Sequence, residues 1–453
     1  MDACVRAWRT LMTGTPQGNP GLGSVHRASL FVRNIAWNIT GNLGGKLINP
    51  LFQVLIARLL VPEDFGAYSI ALAWLAIFEI GKDWGLTQAI VVRRGGTPEI
   101  ALQFTIQLTT AIAFYSATLA LTPLAIAWFS LPSLKIALPL VGLVAFVSAV
   151  ADPIVTRCFI AQRYRMLAIR QTVMPLGAGA VGLLLAHWGY GMYALIIGLL
   201  VGHVAGALAL LAGERAGIRF NLDAKLTANL MPVAKHVVLQ RLFGYLVTHA
   251  DSFIVGRALG PQALGLYRMG NLLAFLVPTA TAPQAQQVVF TELSALRDKD
   301  HMRIHYARFV NTAGTLLLGY AFLVYATAPT LVPAILGEQW RTCVPILQVF
   351  AAVVSVGFVT PLNVDISKIL GFVGSYTYFA AARAVVTVTA LIWAAQFSTM
   401  HVVTTWVVVG LASSFVNDVV FYCKQNIIRV TAAKLALTLA GWSWAAYVIV
   451  SVS

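Results

Sequence analysis

The chain has 453 residues, of which 59% are hydrophobic and only 10% are charged, whereas soluble proteins carry about 25% charged residues. Most windows of about 20 residues are apolar enough to cross a bilayer as a helix, and strand-like alternation is missing from the sequence. Since a helix satisfies its own backbone hydrogen bonds in lipid, the composition predicts an all-α polytopic membrane protein and excludes a soluble globular fold.

The predicted elements begin after a tail at 1–33, which contains a Gly/Pro-rich run from Gly14 to Gly23 and no long apolar core. This composition predicts disorder and does not fit a cleaved signal peptide. Apolar segments long enough to span a membrane follow at 34–58, 66–90, 102–129, 135–160, 168–188, 190–212, 233–257, 265–290, 307–329, 343–370, 375–397 and 401–422, with a further one at 433–451.

These segments divide into two halves. We expect a first six-helix bundle at 34–212 and a second at 233–422, which gives twelve core helices. A polar, charged linker at 213–232 joins them, and a C-terminal segment at 423–453 carries the thirteenth helix.

The net charge of +15 at pH 7 follows from where the basic residues lie. Most of the 31 lysines and arginines fall in the loops at one end of the predicted helices, so the positive-inside rule predicts a cytoplasmic N-terminus. The excess charge then reflects topology and contact with anionic lipid, and it does not indicate nucleic-acid binding. The opposite loops hold only Arg58, Lys135, Arg257, Arg268 and Arg341.

An internal repeat relates the two halves. The stretch Arg58–Tyr68 returns as Arg257–Tyr267 with Arg, Leu, Pro, Gly and Tyr in register, and polar positions of the preceding helix recur at the same offset of 199 residues. The offset contains six predicted spans, an even number, so both copies enter the membrane from the same side. The repeat therefore predicts two parallel six-helix bundles around a central cavity.

A proline opens the second helix of each repeat, at Pro62 and at Pro261, where its missing N–H is not needed. Arg58 and Arg257 precede these prolines, and two interpretations of them stay open. They either help to build a well-capped helical hairpin or line the outer mouth of a cavity.

A polar stripe runs along the first predicted helix through Asn42, Lys46 and Asn49, and the seventh predicted helix carries a matching stripe through Arg241 and Tyr245. Packing through glycines and amides explains part of such stripes. It explains Lys46 and Arg241 poorly, because neither lies close enough to a helix end to extend its charge into water. We therefore expect a water-filled cavity between the halves.

Signatures of catalysis do not occur in the sequence. There is no H-E-x-x-H pattern and no P-loop, and the four cysteines lack the spacing of a metal site or a disulfide framework. The sequence therefore predicts no enzyme, no metal and no cofactor. Among the ionisable residues of the spans, Glu79 is spaced to pair with Lys82 at i+3, and Arg383 has no acidic residue close to it in the sequence.

Several motifs taken together resemble the polysaccharide repeat-unit flippases (Wzx-like proteins) of the multidrug/oligosaccharidyl-lipid/polysaccharide exporter superfamily. The resemblance extends over 34–370. The chain departs from it at two positions, because the family often has proline where Thr291 stands and lysine where Gln339 stands. The motifs are Ala57–Leu60 with Pro62–Tyr68, Ala250–Pro261, Gln287–Ser294, Leu336–Trp340 and Val344–Gln348.

The resemblance implies two six-helix bundles with a central cavity built largely from helices 1, 2, 7 and 8. It also implies an undecaprenyl-pyrophosphate-linked oligosaccharide as cargo. This cargo would move by alternating access from the cytoplasmic to the periplasmic leaflet of the bacterial inner membrane, for exopolysaccharide, capsule or O-antigen (lipopolysaccharide) synthesis. A polysaccharide polymerase and a chain-length regulator would be partners.

The diphosphate of such a cargo needs cations inside the membrane, so Lys46, Arg241 and Arg383 are candidates for a phosphate clamp. The stripe residues Asn42, Asn49 and Tyr245 would line the cavity beside them. Arg268 either guards the outer exit or anchors its helix at the lipid interface.

Coupling to protons or sodium is expected to involve acidic residues, and Asp251 and Glu79 are the candidates. For Asp251, a hydrogen bond to a group on helix 1 or helix 8 is the alternative. The alternative function is a cation-coupled drug or small-metabolite exporter of the same superfamily. A membrane-embedded glycan polymerase or glycosyltransferase is a third option, which the short predicted outer loops disfavour.

Overall fold

A computed structural model of the chain describes residues 44–213, 219–281, 299–354 and 373–425, together with residues 286, 289, 443 and 447. Within these residues the chain is helical apart from turns and contains no β-strand. The candidate cavity residue Asn42, the tail at 1–33 and most of the predicted span at 433–451 lie outside the described residues.

The helices are numbered in chain order. The first half forms α1 (44–57), α2 (Pro62–Gly81), α3 (Leu86–Arg93), α4 (Thr97–Phe129), α5 (Leu134–Ile160), α6 (Tyr164–His187) and α7 (Met192–Gly213). The second half forms α8 (Ala224–Ala258), α9 (Gly260–Ala274), α10 (Lys299–Leu336), a 3₁₀ turn (Glu338–Trp340), α11 (Cys343–Ala352), α12 (Val373–Ala394) and α13 (Thr399–Gln425).

Seven of the described helices are long and apolar enough to cross a membrane. They lie in both halves, and the segments 343–352 and 381–394 form shorter apolar helices. The prediction of an all-α polytopic membrane protein is therefore confirmed. Helices α4 to α7 pack on one another, α9 to α13 pack on one another, and α2 contacts both groups. The complete arrangement of two parallel six-helix bundles stays a prediction.

The predicted span at 66–90 is wrong in one respect, because it is two helices. Helix α2 ends at Gly81, and the chain turns through Trp84 and Gly85, which both have positive φ, before α3 begins. The Asp83 carboxylate accepts hydrogen bonds from the backbone N–H groups of Gly85 (3.1 Å) and Thr87 (3.2 Å). This carboxylate caps the start of α3.

Two further boundaries differ from the prediction. Helix α8 begins at Ala224, inside the range predicted as linker, because the Asp223 side chain caps the N–H groups of Lys225 (2.8 Å) and Leu226 (3.2 Å). Its 35 residues make it about 52 Å long, so it extends beyond a bilayer core of about 30 Å. The span predicted at 265–290 is interrupted by a turn at Phe275.

Both copies of the repeat meet at the end of the molecule where α2 and α9 begin, which we call the proline end. The prolines predicted to open these helices, Pro62 and Pro261, lie in their first turns. A Cβ atom added to Gly66 would overlap the carbonyl oxygen of Pro261, and one added to Gly265 would overlap that of Pro62. These four residues form a reciprocal backbone contact between the halves, which we call the glycine–proline clasp.

The 3₁₀ turn of the second half reinforces the clasp by covering the end of α1. The indole N–H of Trp340 donates to the carbonyl of Ala57 (2.8 Å), and Gln339 donates to the carbonyls of Arg58 and Leu60 (both 3.3 Å). The last carbonyls of a helix lack intrahelical partners, so these donors satisfy groups that burial would otherwise leave unpaired. The Leu336–Trp340 motif thus joins the two halves at the proline end.

Candidate functional site

A cavity of about 340 Å³ lies inside the first half, and two of the predicted stripe residues line it. Lys46 and Asn49 reach it from α1, Arg170 and Gln171 from α6, and His203 from α7. All of its described lining residues belong to these three helices. The structure therefore places Lys46 and Asn49 against helices of their own half, and a cavity between the halves stays a prediction.

Glycines bring the three cavity helices close together. A Cβ at Gly45 would lie 2.7 Å from the carbonyl oxygen of Gln171, and one at Gly202 would lie 2.5 Å from that of Met174. Only glycine allows such approaches, as is common where membrane helices pack through small residues. Each of these glycines directly precedes a polar cavity residue, Lys46 or His203, and so fixes its position in the wall.

A network of charged side chains connects to the cavity through Arg170. Lys82 Nζ lies 2.8 Å from Glu79 Oε2, so the i+3 pair predicted from the sequence is confirmed. The same Nζ lies 2.8 Å from Asp152 Oδ2, and the other oxygen of Asp152 lies 3.8 Å from the Arg170 guanidinium. Glu79 is half exposed. The candidate coupling residue Glu79 is thus part of a four-residue network that ends at Arg170 on the cavity wall.

Sequence reasoning missed Arg170 and His203. Arg170 lies six residues inside α6 and is only about one-fifth exposed. His203 lies within the apolar helix α7, and its Nδ1 is 2.9 Å from the carbonyl of Leu199. Because a carbonyl oxygen only accepts, Nδ1 carries the proton in this contact. A histidine in the middle of an apolar span was the signal that could have found it.

Arg241, the candidate clamp residue of the second half, is held by the first half. Its guanidinium lies 2.5 Å from Asp83 Oδ1 and donates to Gln88 Oε1 at 3.2 Å. Asp83 lies in the turn beyond the membrane-spanning helix α2 and is fully buried. Burial raises the pKa of the Asp83 carboxyl, but the hydrogen bond and charge of Arg241, together with the hydrogen bonds from Thr87 and Gly85, outweigh burial and hold that pKa below its ordinary value.

An apolar cluster also joins α3 and α4 to α8. Leu86, Ala89 and Ile90 of α3 and Leu102 of α4 pack with Leu230 of α8, and all five are buried. We call the cluster together with the Asp83–Arg241 pair the polar-end contact, since it lies at the opposite end from the clasp. The halves are therefore joined at both ends.

Tyr245 lies one helical turn beyond Arg241 and also contacts the first half. Its hydroxyl donates to the carbonyl of Ala73 on α2 (3.2 Å), and its ring stacks on His249 (5.3 Å between centroids). Arg383 is half-buried on α12, and this helix packs against α8. Arg241, Tyr245 and Arg383 thus lie on two helices that are in contact.

Asp251 and Arg268 form a buried network between α8 and α9. Asp251 is only 5% exposed, and its carboxylate accepts from the Ser252 backbone N–H (2.7 Å), the Tyr267 hydroxyl (2.9 Å) and the Arg268 guanidinium (3.0 Å). Arg268 also bonds the Ser252 hydroxyl. In this state Asp251 makes the interhelical hydrogen bonds that we named as its alternative role, and the Arg268 charge is directed at Asp251.

The fold, the spans and the polar groups inside them define a polytopic, all-α membrane protein. The family model described as polysaccharide biosynthesis protein matches residues 55–345, and the chain belongs to this family. The resemblance given by the sequence motifs is therefore confirmed.

Relatives and solved structures agree with this placement. The chain is 24% identical to the succinoglycan biosynthesis transport protein ExoT of Rhizobium meliloti (strain 1021), over 93% of this chain and 81% of the relative. It is 21% identical to the lipopolysaccharide biosynthesis protein WzxC of Escherichia coli (strain K12), over 66% and 62%. The fold is similar to that of the lipid II flippase MurJ in an inward closed conformation, with a TM-score of 0.70 and 12% identity over 92% of this chain and 98% of MurJ. An inward-facing multidrug transporter of the MATE family gives a TM-score of 0.56 and 14% identity over 88% and 95%.

Proposed function

We propose that this protein flips undecaprenyl-pyrophosphate-linked oligosaccharide repeat units from the cytoplasmic to the periplasmic leaflet of a bacterial inner membrane, for the synthesis of an exopolysaccharide, a capsule or an O-antigen. The observation that carries the proposal is the basic cavity among membrane helices in a chain of the polysaccharide biosynthesis family. A glycan diphosphate needs such cations and polar groups, while its lipid tail can stay in the bilayer.

The direction of transport rests on the charge distribution. The turns and loops at the polar end carry most of the basic residues, including Lys82, Arg93 and Arg163, so this end is cytoplasmic by the positive-inside rule. The proline end then faces the periplasm, and the glycine–proline clasp closes the periplasmic side in the described state. The cargo head group would enter from the cytoplasmic side.

In this proposal the polar residues have separate tasks. Lys46 and Asn49 contact the head group, together with Asn42, which the sequence spacing predicts on the same helix face. Arg241 and Arg383 receive the diphosphate when the halves rock apart, since the Asp83–Arg241 pair must then break.

Arg268 and Asp251 stand nearer the periplasmic exit. Their ion pair would separate when Asp251 takes up a proton, so Asp251 would couple transport to protons, and a sodium ion could act in the same way. Glu79 is the second candidate for coupling. The polysaccharide polymerase and the chain-length regulator would receive the flipped unit.

Reconstitution tests this function. Liposomes are prepared with the purified protein and an undecaprenyl-pyrophosphate-linked oligosaccharide that carries a fluorophore on its glycan, and a membrane-impermeant quencher is added outside. We expect the protected inner-leaflet fluorescence to decay faster than in protein-free liposomes. Phosphatidylethanolamine with the same fluorophore is the control for scrambling. Equal decay with and without protein would contradict the proposal.

Variants test the proposed cavity residues in the same assay. Changing both Lys46→Ala and Arg241→Ala should abolish the protein-dependent decay, because two cations that meet the diphosphate are lost. Lys135→Ala, an exposed lysine at the proline end, is the matched control. Normal decay in the double variant would rule out a phosphate clamp at these residues.

The fold alone is also compatible with a drug exporter, since it resembles MATE transporters. Such an exporter of cationic drugs needs acidic groups at its substrate site, whereas Lys46, Arg170 and His203 line the described cavity. Named relatives are a transport protein and a polysaccharide biosynthesis protein. We therefore favour the flippase and propose no enzymatic activity.

A further inference from the structure

We propose that Arg170 and His203, together with Lys46, form a phosphate site within the first half, and that this site takes the diphosphate of the polyprenyl carrier before the halves rock. The inference rests on the proposed function for the identity of the cargo. It differs from a clamp built across the two halves, because every member of the site lies on α1, α6 or α7.

The first argument is the charge at the cavity wall. Lys82 lies 2.8 Å from both Glu79 and Asp152. Lys82 and Arg170 together balance these two carboxylates, so Lys46 supplies the net positive charge of the described wall. The distance of 3.8 Å from Arg170 to Asp152 is longer than a hydrogen bond. Asp152 therefore anchors the Arg170 guanidinium by charge and leaves its donors available for an anion.

The second argument is an unused donor at this position. Arg170 Nε is buried, and it donates no hydrogen bond to any residue that the structure describes. A buried N–H without an acceptor costs about 1–3 kcal/mol, more for a charged group, so its presence beside a cavity indicates a ligand that completes the bonding. Guanidinium groups bind phosphate oxygens in a bidentate manner, which suits an anion with several oxygens.

The third argument concerns His203. Its Nδ1 proton is used by the Leu199 carbonyl, so Nε2 is the nitrogen left for a ligand. The charged groups that act on His203 are Arg170, Glu79 and Asp152. A phosphate in the cavity would add negative charge beside the ring and favour the imidazolium form, in which Nε2 becomes a donor. A cavity of about 340 Å³ is at the lower end of known ligand pockets, which is adequate for a diphosphate head.

The phosphate could come from two sources, the polyprenyl diphosphate of the cargo or the headgroup of an anionic phospholipid. Native mass spectrometry of the purified full-length protein separates them, because each bound lipid adds its own mass. The probes are undecaprenyl diphosphate and phosphatidylglycerol, each titrated against the wild type, Arg170→Gln, Arg170→Lys and His203→Gln. The controls are Lys135→Gln and Arg341→Gln, two changes of exposed basic residues at the proline end.

We expect Arg170→Gln to weaken undecaprenyl diphosphate binding about tenfold to a hundredfold, since charge-assisted hydrogen bonds are lost. His203→Gln should weaken it less, Arg170→Lys should restore part of it, and both controls should bind like the wild type. Phosphatidylglycerol binding should be the same in all variants. Thermal unfolding of each variant checks that a loss of binding does not reflect a loss of fold.

Unchanged diphosphate binding in folded Arg170→Gln and His203→Gln would overturn the site. A loss of phosphatidylglycerol binding alone would overturn its assignment to the cargo. Because the experiment measures lipid binding and not transport, it can tell a failure of the phosphate site from a failure of the proposed flippase function. If the wild type flips glycan while Arg170→Gln binds normally, this inference fails and the proposed function stands. If no glycan is flipped while the binding loss is observed, the site stands and the proposed function fails.

Discussion

The two contacts that join the halves are built from different chemistry. The glycine–proline clasp consists of backbone atoms and depends on the absence of a Cβ at Gly66 and Gly265. The polar-end contact depends on a buried carboxylate, Asp83, and on the guanidinium of Arg241. The first should respond to side-chain volume but not to charge, and the second to charge and pH. Under the alternating access proposed for this protein, each end can therefore be tuned separately.

The largest effect is expected from filling the clasp. In Gly66→Ala/Gly265→Ala each new methyl group would overlap a proline carbonyl oxygen, at a cost of about 1–3 kcal/mol per site, so the proline end should open. Cys343 reports this opening, because it is fully buried and its thiol donates to the Leu266 carbonyl of α9 (3.4 Å). Alkylation of Cys343, as the single cysteine left in the chain, should accelerate at least about tenfold.

The controls for this experiment are Gly319→Ala and Gly410→Ala. Both glycines lie on helices with open space where the Cβ would be, so alanine should stabilise the helix by roughly 0.5–1 kcal/mol and leave labelling unchanged. If the clasp variant is labelled no faster than these controls, the glycines do not hold the proline end closed.

A smaller effect is expected from breaking the polar-end contact. Asp83→Ala leaves the Arg241 guanidinium unpaired and removes the cap of α3, which should lower the free energy of unfolding by about 3 kcal/mol. The measurement is chemical unfolding in detergent, and Asp83→Ala/Arg241→Ala should recover part of the loss. Glu338→Ala breaks an exposed ion pair with Arg341 and should cost less than about 1 kcal/mol. Equal losses in Asp83→Ala and Glu338→Ala would argue against a buried ionic contact.

Trp340→Phe should have a still smaller effect, on the proline end alone. The indole donor to the Ala57 carbonyl is lost while an aromatic ring can still pack on Phe65, so about 1–2 kcal/mol of stability should disappear. Trp393→Phe, a change of an exposed tryptophan on α12, should be close to neutral in the same unfolding measurement. A neutral Trp340→Phe would mean that another donor serves the Ala57 carbonyl.

The last prediction concerns how the stability of the protein depends on pH, which distinguishes the two contacts. Near neutral pH this is the smallest of the expected effects. The pKa of Asp83 is lowered in the folded protein, so its pair contributes fully above the ordinary carboxyl pKa of about 4 and is lost as the pH falls through the lowered value. Stability attributable to Asp83, measured as wild type minus Asp83→Asn, should be constant from pH 8 to pH 5 and shrink below pH 4. The rate of Cys343 labelling, divided by that of a free thiol at the same pH, should not follow this curve. If the labelling rate of Cys343 changed with pH in parallel with the stability attributable to Asp83, the two ends would be coupled.

Local features of the site could be predicted from the sequence. The Pro62 and Pro261 turns and the Glu79–Lys82 pair involve residues within a few positions of each other, and regular helix geometry fixes such neighbours. The partner of Arg241 could not be predicted in this way. Asp83 is separated from it by 158 positions, and periodicity within a helix does not tell which face of another helix it meets.

Sequence alone determined that the chain is a helical membrane protein with an internal repeat, because composition and helix periodicity are properties of neighbouring residues. It also selected Lys46 and Arg241 as cations that need an explanation inside the membrane. Only the tertiary structure decided that Lys46 faces α6 and α7, beside Arg170 and His203, while Arg241 pairs with Asp83. The physical reason is that glycine contacts set how closely helices approach, and this approach selects the partner of each polar side chain.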